Sequence, residues 1–158
     1  MNSKLEEKVV AQVRKMLNGP MGVDKALLFA LVAHYGQKDK GKNSYILHPI
    51  NVMLKMDTED EMTVAVIHDV VEDTDYTLED CSEFGYSEPN LQTIDALTRR
   101  DSETYAEFIQ RIMQSGTACK VKDADIDHNM LLSRLKNRKL TEKDFTRMQD
   151  YIDAKATL

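Results

Sequence analysis

Apolar residues recur along most of this chain three and four positions apart, the period of a helix with one face turned inward. Leu5, Val9, Val13 and Leu17 open the pattern behind a capping box formed by Ser3 and Glu6, and Asn18-Gly19-Pro20 stops it. A second helix is predicted over residues 23–35. Its centre, 26–33, is apolar on every side and reads as buried. His34 sits at its end, where a lone histidine is more often a hydrogen-bonded structural group than a ligand. A short helix over 50–56 follows Pro49, which biases His48 away from helical geometry and fixes it at the helix entrance. Thr58 and Glu61 cap the next helix, whose apolar run over 62–67 closes in His68-Asp69-Val70-Val71-Glu72-Asp73. Thr77 caps a short helix ended by Gly85, and Ser87 with Pro89 starts another that runs through Leu97. Further helices are expected over 103–113 and 118–135. A last one opens at Thr141, with Phe145, Met148 and Ile152 as its buried stripe. No strand, repeat or linker stands out, so the expected fold is all-α, one domain over residues 1–158.

The His68–Asp73 segment reads either as a solvated helix end rich in acid or as a chemical site, and its layout favours the second. At about 100° per residue, Glu72, Asp69 and Asp73 fall roughly 40°, 100° and 140° from His68, while Val70 and Val71 lie on the other side. Four polar groups thus share one arc backed by two valines. Acidic residues at a helix C-terminus oppose its dipole, and unpaired charge is costly to bury. A metal ligand pair one turn from an acid/base pair accounts for the arrangement. Further along, Val121, Asp125, His128, Asn129 and Leu132 share one helical face. That leaves Asp125 as the inward carboxylate, with Asp123 and Asp127 on a more exposed stripe. Residues 36–44 bracket three lysines with glycines, as a solvated loop or as a mobile cationic flap for phosphate groups.

Composition narrows the partners. With 42 % apolar and 30 % charged residues over 158 positions, the chain can bury a core of its own. The net charge of −6 excludes a general nucleic-acid binder, which wants a basic face, but leaves room for a small phosphorylated ligand. No run is long enough for a membrane span and the first residues lack the apolar stretch of a signal peptide, so a cytoplasmic location is expected. Cys81 and Cys119 fit no close-spaced zinc pattern and no disulfide framework. The sequence sets neither the oligomeric state nor the identity of a metal.

Four strings make a known pattern when taken in order: Ala33-His34-Tyr35-Gly36-Gln37, Tyr45-Ile46-Leu47-His48-Pro49, His68 through Thr74, and Lys122-Asp123-Ala124-Asp125 with His128-Asn129-Met130. The chain resembles HD-domain metal-dependent phosphohydrolases, and within them the RelA/SpoT-type hydrolase domain and the small alarmone hydrolases, over roughly residues 22–135. The resemblance implies an HD-domain helical bundle and a divalent metal, usually Mn2+, on His48, His68, Asp69 and Asp125. It implies Glu72 and Asp73 as handlers of the attacking water. It further implies Lys38, Tyr45 and Asn129 as substrate contacts, with Arg99 a weaker phosphate contact. The implied reaction is hydrolysis of guanosine 3′,5′-bis(diphosphate), with release of the 3′-pyrophosphate. The alternatives are an HD phosphohydrolase acting on another nucleotide and a nucleotide-binding module without turnover. The chain departs from the family at Gln37, where an arginine is common, at Ile126, where a basic residue is common, and at Asp123, which replaces an apolar residue. These departures bear on guanine recognition. No stretch is long enough for a synthetase domain, so alarmone synthesis is not expected.

Overall fold

Reciprocal side-chain caps set the helix starts. Thr58 with Glu61, Thr77 with Asp80, Thr104 with Glu107 and Thr141 with Asp144 each close a box in which both orphan amides of the first turn are satisfied. This computed structural model describes residues 3–136 and 138–158, without the side chain of Ser3, so the expected Ser3 box lies outside the described residues. The helices are α1 Ser3–Leu17, α2 Val23–Ala33, α3 Leu47–Met53, α4 Glu59–Ala65, α5 Val70–Asp73, α6 Leu78–Phe84, α7 Glu88–Leu97, α8 Tyr105–Ile112, α9 Gly116–Asn129 and α10 Glu142–Thr157, with a 3-10 turn at Leu132–Leu135. Among the described residues the only strand-like feature is an isolated bridge between Lys38 and Ser44. The expected all-helical class holds.

α4 and α9 share the centre of the packing: α4 meets α2, α3, α7 and α9, and α9 also meets α3, α7, α8 and α10. Val64, Ala65, Val66 and Ile67 are sealed from solvent, and Val52, Ile94, Ile112, Val121 and Ile126 close around them. Each such side chain contributes roughly 1.5–3 kcal/mol by leaving water, so this core is rigid ground for whatever it carries at its edge.

Several helices differ from the sequence pattern. α2 is buried on one face only: Phe29 and Ala30 are in the core while Leu31 and Val32 are about half exposed. Its composition is apolar on the outer face too, so composition alone cannot show which face is covered. The α1 stripe of Leu5, Val9 and Leu17 is likewise exposed. α3 begins at Leu47, so His48 lies inside its first turn rather than before it. Pro49 causes no break there because first-turn amides have no intrahelical acceptor to lose. The helix expected over 118–135 ends at Asn129, and Leu132, expected on its inner face, is exposed in the 3-10 turn. In α10 the expected stripe faces outward at Phe145 and Ile152, whereas Asp144 and Ala154 are buried.

Candidate active site

The HD segment is not one continuous helix. α4 stops at Ala65, and Ile67, His68 and Val70 bond back three residues, to Val64, Ala65 and Ile67. This tight turn separates α4 from α5 and places His68 and Asp69 at the break; tightened turns of this kind often mark functional positions. His68 Nδ1 lies 2.7 Å from the Ala65 carbonyl oxygen, to which it donates. Nδ1 is therefore protonated, and Nε2 is the atom that can exchange its proton for a cation.

Three donor atoms, one each from His48, His68 and Asp125, lie within 4.8 Å of one another, and Asp69 Oδ2 flanks the two imidazoles. His48 Nε2 is 3.0 Å from Asp125 Oδ1 and 3.5 Å from Asp69 Oδ2. His68 Nε2 is 3.0 Å from Asp69 Oδ2 and 3.7 Å from Asp125 Oδ1. Neighbouring donors about 2.0–2.2 Å from one ion lie about 3 Å apart, so the spacing suits a single divalent cation. His68 Nε2 is buried and faces the Asp69 and Asp125 carboxylates, the surroundings of a ring nitrogen that can take a metal in place of a proton. Burial opposes charge on the His68 ring, yet Asp69 and Asp125 outweigh it and push the ring up to about 10. Burial also opposes charge on Asp125, but Lys122, His48 and His68 hold its carboxyl well below the usual range. The cluster thus attracts positive charge, and a metal there displaces protons. Two imidazoles and two carboxylates suit a borderline divalent ion without choosing one.

Glu72 and Asp73 leave α5 on the solvent side of this cluster. Burial, and then for both the Asp69 charge, raises their carboxyls above the ordinary range. Glu72 Oε2 accepts from the Arg99 backbone amide at 3.0 Å. The Tyr45 hydroxyl donates to Asp69 Oδ2 at 2.5 Å and reaches Asp73 Oδ2 at 3.1 Å. Burial and the two carboxylates raise that phenol, so it stays a donor and ties Asp69 to Asp73. His34 fulfils the structural reading, with Nδ1 2.6 Å from Gln37 Oε1 and its ring against Tyr45.

A cleft of about 450 Å³ opens over the cluster, lined by Lys38, Tyr45, Asp69, Glu72, Asp73, Arg99, Asp125 and Asn129 among others. The candidate catalytic and substrate-contacting residues, with Asp69 and Asp125, thus line this cleft, and His48 and His68 are buried against those two aspartates. Asn129 Nδ2 donates to Asp125 Oδ1 at 2.5 Å and its Oδ1 accepts from Arg134 at 2.6 Å, so it links the cluster to the opposite wall. Arg99 also lies over the Tyr105 ring.

Away from the cluster, Lys40 belongs to the expected loop lysines, whereas Arg134, Arg147 and Tyr151 are what the sequence reading missed. Lys122, also missed, stands on the cluster side: its side chain is 14 % exposed and its ammonium lies 2.8 Å from Asp125 Oδ2, a pair that the i, i+3 spacing on α9 could have signalled. Arg147 and Tyr151 come from α10, which is clamped at both ends. Arg138 forks onto Asp144 at 2.6 and 2.8 Å and also reaches the Lys40 carbonyl. Lys155 bridges Asp123 and Asp127, at 2.7 Å each. The 36–44 loop is held rather than loose. Asp39 binds the Asn43 amide at 2.8 Å, and a side chain at Gly41 would collide with the Arg134 carbonyl. Burial and then Arg147 lower the Lys40 ammonium, which shows how densely cations crowd this wall.

No protein-family model matches the chain. The bifunctional (p)ppGpp synthase/hydrolase SpoT of Escherichia coli K12 is 35 % identical over 121 residues, 67 % of this chain and 17 % of that protein. A GTP pyrophosphokinase of Streptomyces coelicolor is 30 % identical over 135 residues, 77 % of this chain and 16 % of that protein. The chain therefore spans under a fifth of the length of these curated relatives. A solved structure described as a metazoan ortholog of SpoT that hydrolyzes ppGpp superposes with a TM-score of 0.67 at 23 % identity, covering 84 % of both chains. By sequence and by fold, this chain is a relative of the SpoT/RelA-type (p)ppGpp hydrolases and synthetases, with the helical HD-domain architecture.

Proposed function

We propose that the cleft is the active site of a metal-dependent pyrophosphohydrolase that cleaves guanosine 3′,5′-bis(diphosphate) or its pentaphosphate analogue and releases the 3′-pyrophosphate. One observation supports the reading: a single cleft is lined both by Asp69 and Asp125 of the cation-attracting cluster and by Lys40, Arg134 and Arg147, so it offers phosphate two kinds of attraction. A nucleotide charged at one position needs one of them; a nucleotide charged at both 3′ and 5′ positions uses both. The names of the relatives agree with that chemistry.

His48, His68, Asp69 and Asp125 would hold the ion, with Mn2+ as the proposed metal. When bound, a divalent ion supplies Lewis-acid stabilisation of charge on the phosphoryl oxygens. The chain does the rest. Glu72 and Asp73, raised above ordinary carboxylates, accept or orient the proton of the attacking water. Tyr45 keeps Asp69 and Asp73 in register, Asn129 and Lys122 fix Asp125, and Lys38 and Arg99 neutralise phosphate at the cleft mouth. Glu72 and Asp73 also count against a binding module without turnover, which has no use for two raised carboxyls at this place. We propose that residues 1–158 act as one HD unit on a small-molecule nucleotide in the cytoplasm.

One observation favours the second reading, another nucleotide as substrate. Gln37 spends its amide on His34 and on the Asp73 carbonyl, and Ile126 is sealed in the core. Neither position presents a cation to the base. A panel of guanosine and adenosine 3′-pyrophosphates and ordinary nucleotides, each with Mn2+, tests both readings by steady-state kinetics. Turnover of the guanosine compound at the highest kcat/KM supports the first. Turnover of singly charged nucleotides alone replaces it with the second.

A further inference from the structure

The two buried imidazoles of the cluster are oriented by different kinds of partner. His68 Nδ1 donates to a backbone carbonyl, the ordinary arrangement for a metal-binding histidine. His48 Nδ1 instead faces another ring nitrogen, His128 Nδ1, at 2.7 Å. The rings stack with centroids 4.9 Å apart and planes 24° from parallel. His48 and His128 are 3 % and 8 % exposed, so water does not stand in for either.

Two ring nitrogens at that distance share one proton. His48 Nε2 points at Asp125 Oδ1 and Asp69 Oδ2, and binds a cation there only through its lone pair. The ring's proton then sits on Nδ1, and His128 Nδ1 must accept it. We propose that His128 is a positioning residue that fixes the metal-competent tautomer and ring plane of His48 by accepting its Nδ1–H bond. His128 must accordingly carry its own proton on Nε2 and stay neutral. α9 thus supplies both a donor atom, Asp125, and, one turn later, the group that orients the donor from α3. This inference rests on the metal reading of the four-residue cluster and is independent of which nucleotide is cleaved.

The test uses Zn2+ as a diamagnetic probe on the full chain. The chain has four histidines, so long-range 1H–15N spectra of labelled protein resolve each ring. The expected spectrum shows His48 protonated at Nδ1 and His128 protonated at Nε2 with a bare Nδ1. His128→Phe keeps a stacking ring and removes the acceptor; it should weaken Zn2+ binding by about 10–100-fold. His128→Asn places an oxygen near the same point and should recover most of the loss. A His128 ring protonated at Nδ1 in the loaded protein overturns the inference, and so does a His128→Phe variant that binds Zn2+ as tightly as wild type. If the Phe variant does not fold, the wild-type spectrum decides alone. Absence of Zn2+ uptake by wild type overturns the metal reading along with the inference.

Discussion

The two walls of the cleft are built on opposite plans. The cluster wall is short-range and buried: His68 and Asp69 are adjacent, Asp125 and His128 lie one turn apart, and all but Asp69 are under a tenth exposed. The cationic wall is long-range and partly wet. Its members come from the 36–44 loop, the 3-10 turn and α10, and the side chains of Arg134 and Arg147 are 17 % and 30 % exposed. Removing one half of a buried, paired charge leaves the other uncompensated, whereas an exposed charge is screened by water. The first wall should therefore fail as a unit, and the second should fail by degrees.

The largest effect is expected from His68→Ala or Asp69→Ala. Each should abolish turnover and tight metal uptake while circular dichroism keeps the helical signal. Full activity in a metal-stripped His68→Ala protein would break the comparison at its base. Glu72→Gln comes next. It retains an oxygen for the Arg99 amide and should lose about 10²–10⁴-fold in rate, the usual share of a proton-handling group. Metal content, read by elemental analysis, should stay near wild type. Equal metal loss in Glu72→Gln and His68→Ala means that the roles are misassigned.

On the cationic wall, Arg147→Ala and Lys38→Ala should each lower kcat/KM by about 10–100-fold, the range of a charge-assisted hydrogen bond. Metal affinity should not change. Lys42 lies outside the cleft lining, in a left-handed conformation with φ 66°, and Lys42→Ala should match wild type. Indistinguishable constants for Lys38→Ala and wild type refute the loop assignment.

The smallest effect concerns stability. Glu72 and Asp73 titrate above their ordinary values, burial being the main cause. Folding therefore disfavours their charged forms. The penalty is absent below the unfolded-state value and complete once pH exceeds the folded one. Glu72→Gln should thus stabilise the fold slightly at pH 7, by less than about 1 kcal/mol after solvent screening, read as a small rise in melting temperature, and the gain should vanish on acidification. A lower melting temperature at pH 7 contradicts this sign. In kinetics, the same shifts place the acid limb of kcat/KM above the ordinary carboxylate range.

The contrast between the walls also explains what could be read from sequence. His68, Asp69, Glu72 and Asp73 are neighbours, so their common side is visible from helical geometry, even though the helix breaks at Ala65 and that break was not foreseen. Asp125 was separable from Asp123 and Asp127 because one apolar face of α9 is enough to orient it. His128 was on that face, but its partner is 80 residues away, and nothing local reveals an imidazole pair. α10 was read in the wrong phase. Its Phe145 and Ile152 make the stronger apolar stripe, yet the salt bridges from Arg138 and Lys155 turn Asp144, Arg147 and Tyr151 inward. Electrostatic clamps between distant segments override a weak hydrophobic preference, and periodicity does not record them.

The account stands most directly on the product formed. Metal-stripped protein is incubated with guanosine 3′,5′-bis(diphosphate), with and without added Mn2+, and the products are separated by ion-exchange chromatography. The account predicts guanosine 5′-diphosphate and intact pyrophosphate in equal amounts, formed only when Mn2+ is restored. Loss of phosphate from the 5′ side, release of orthophosphate alone, or the same rate without metal would contradict it.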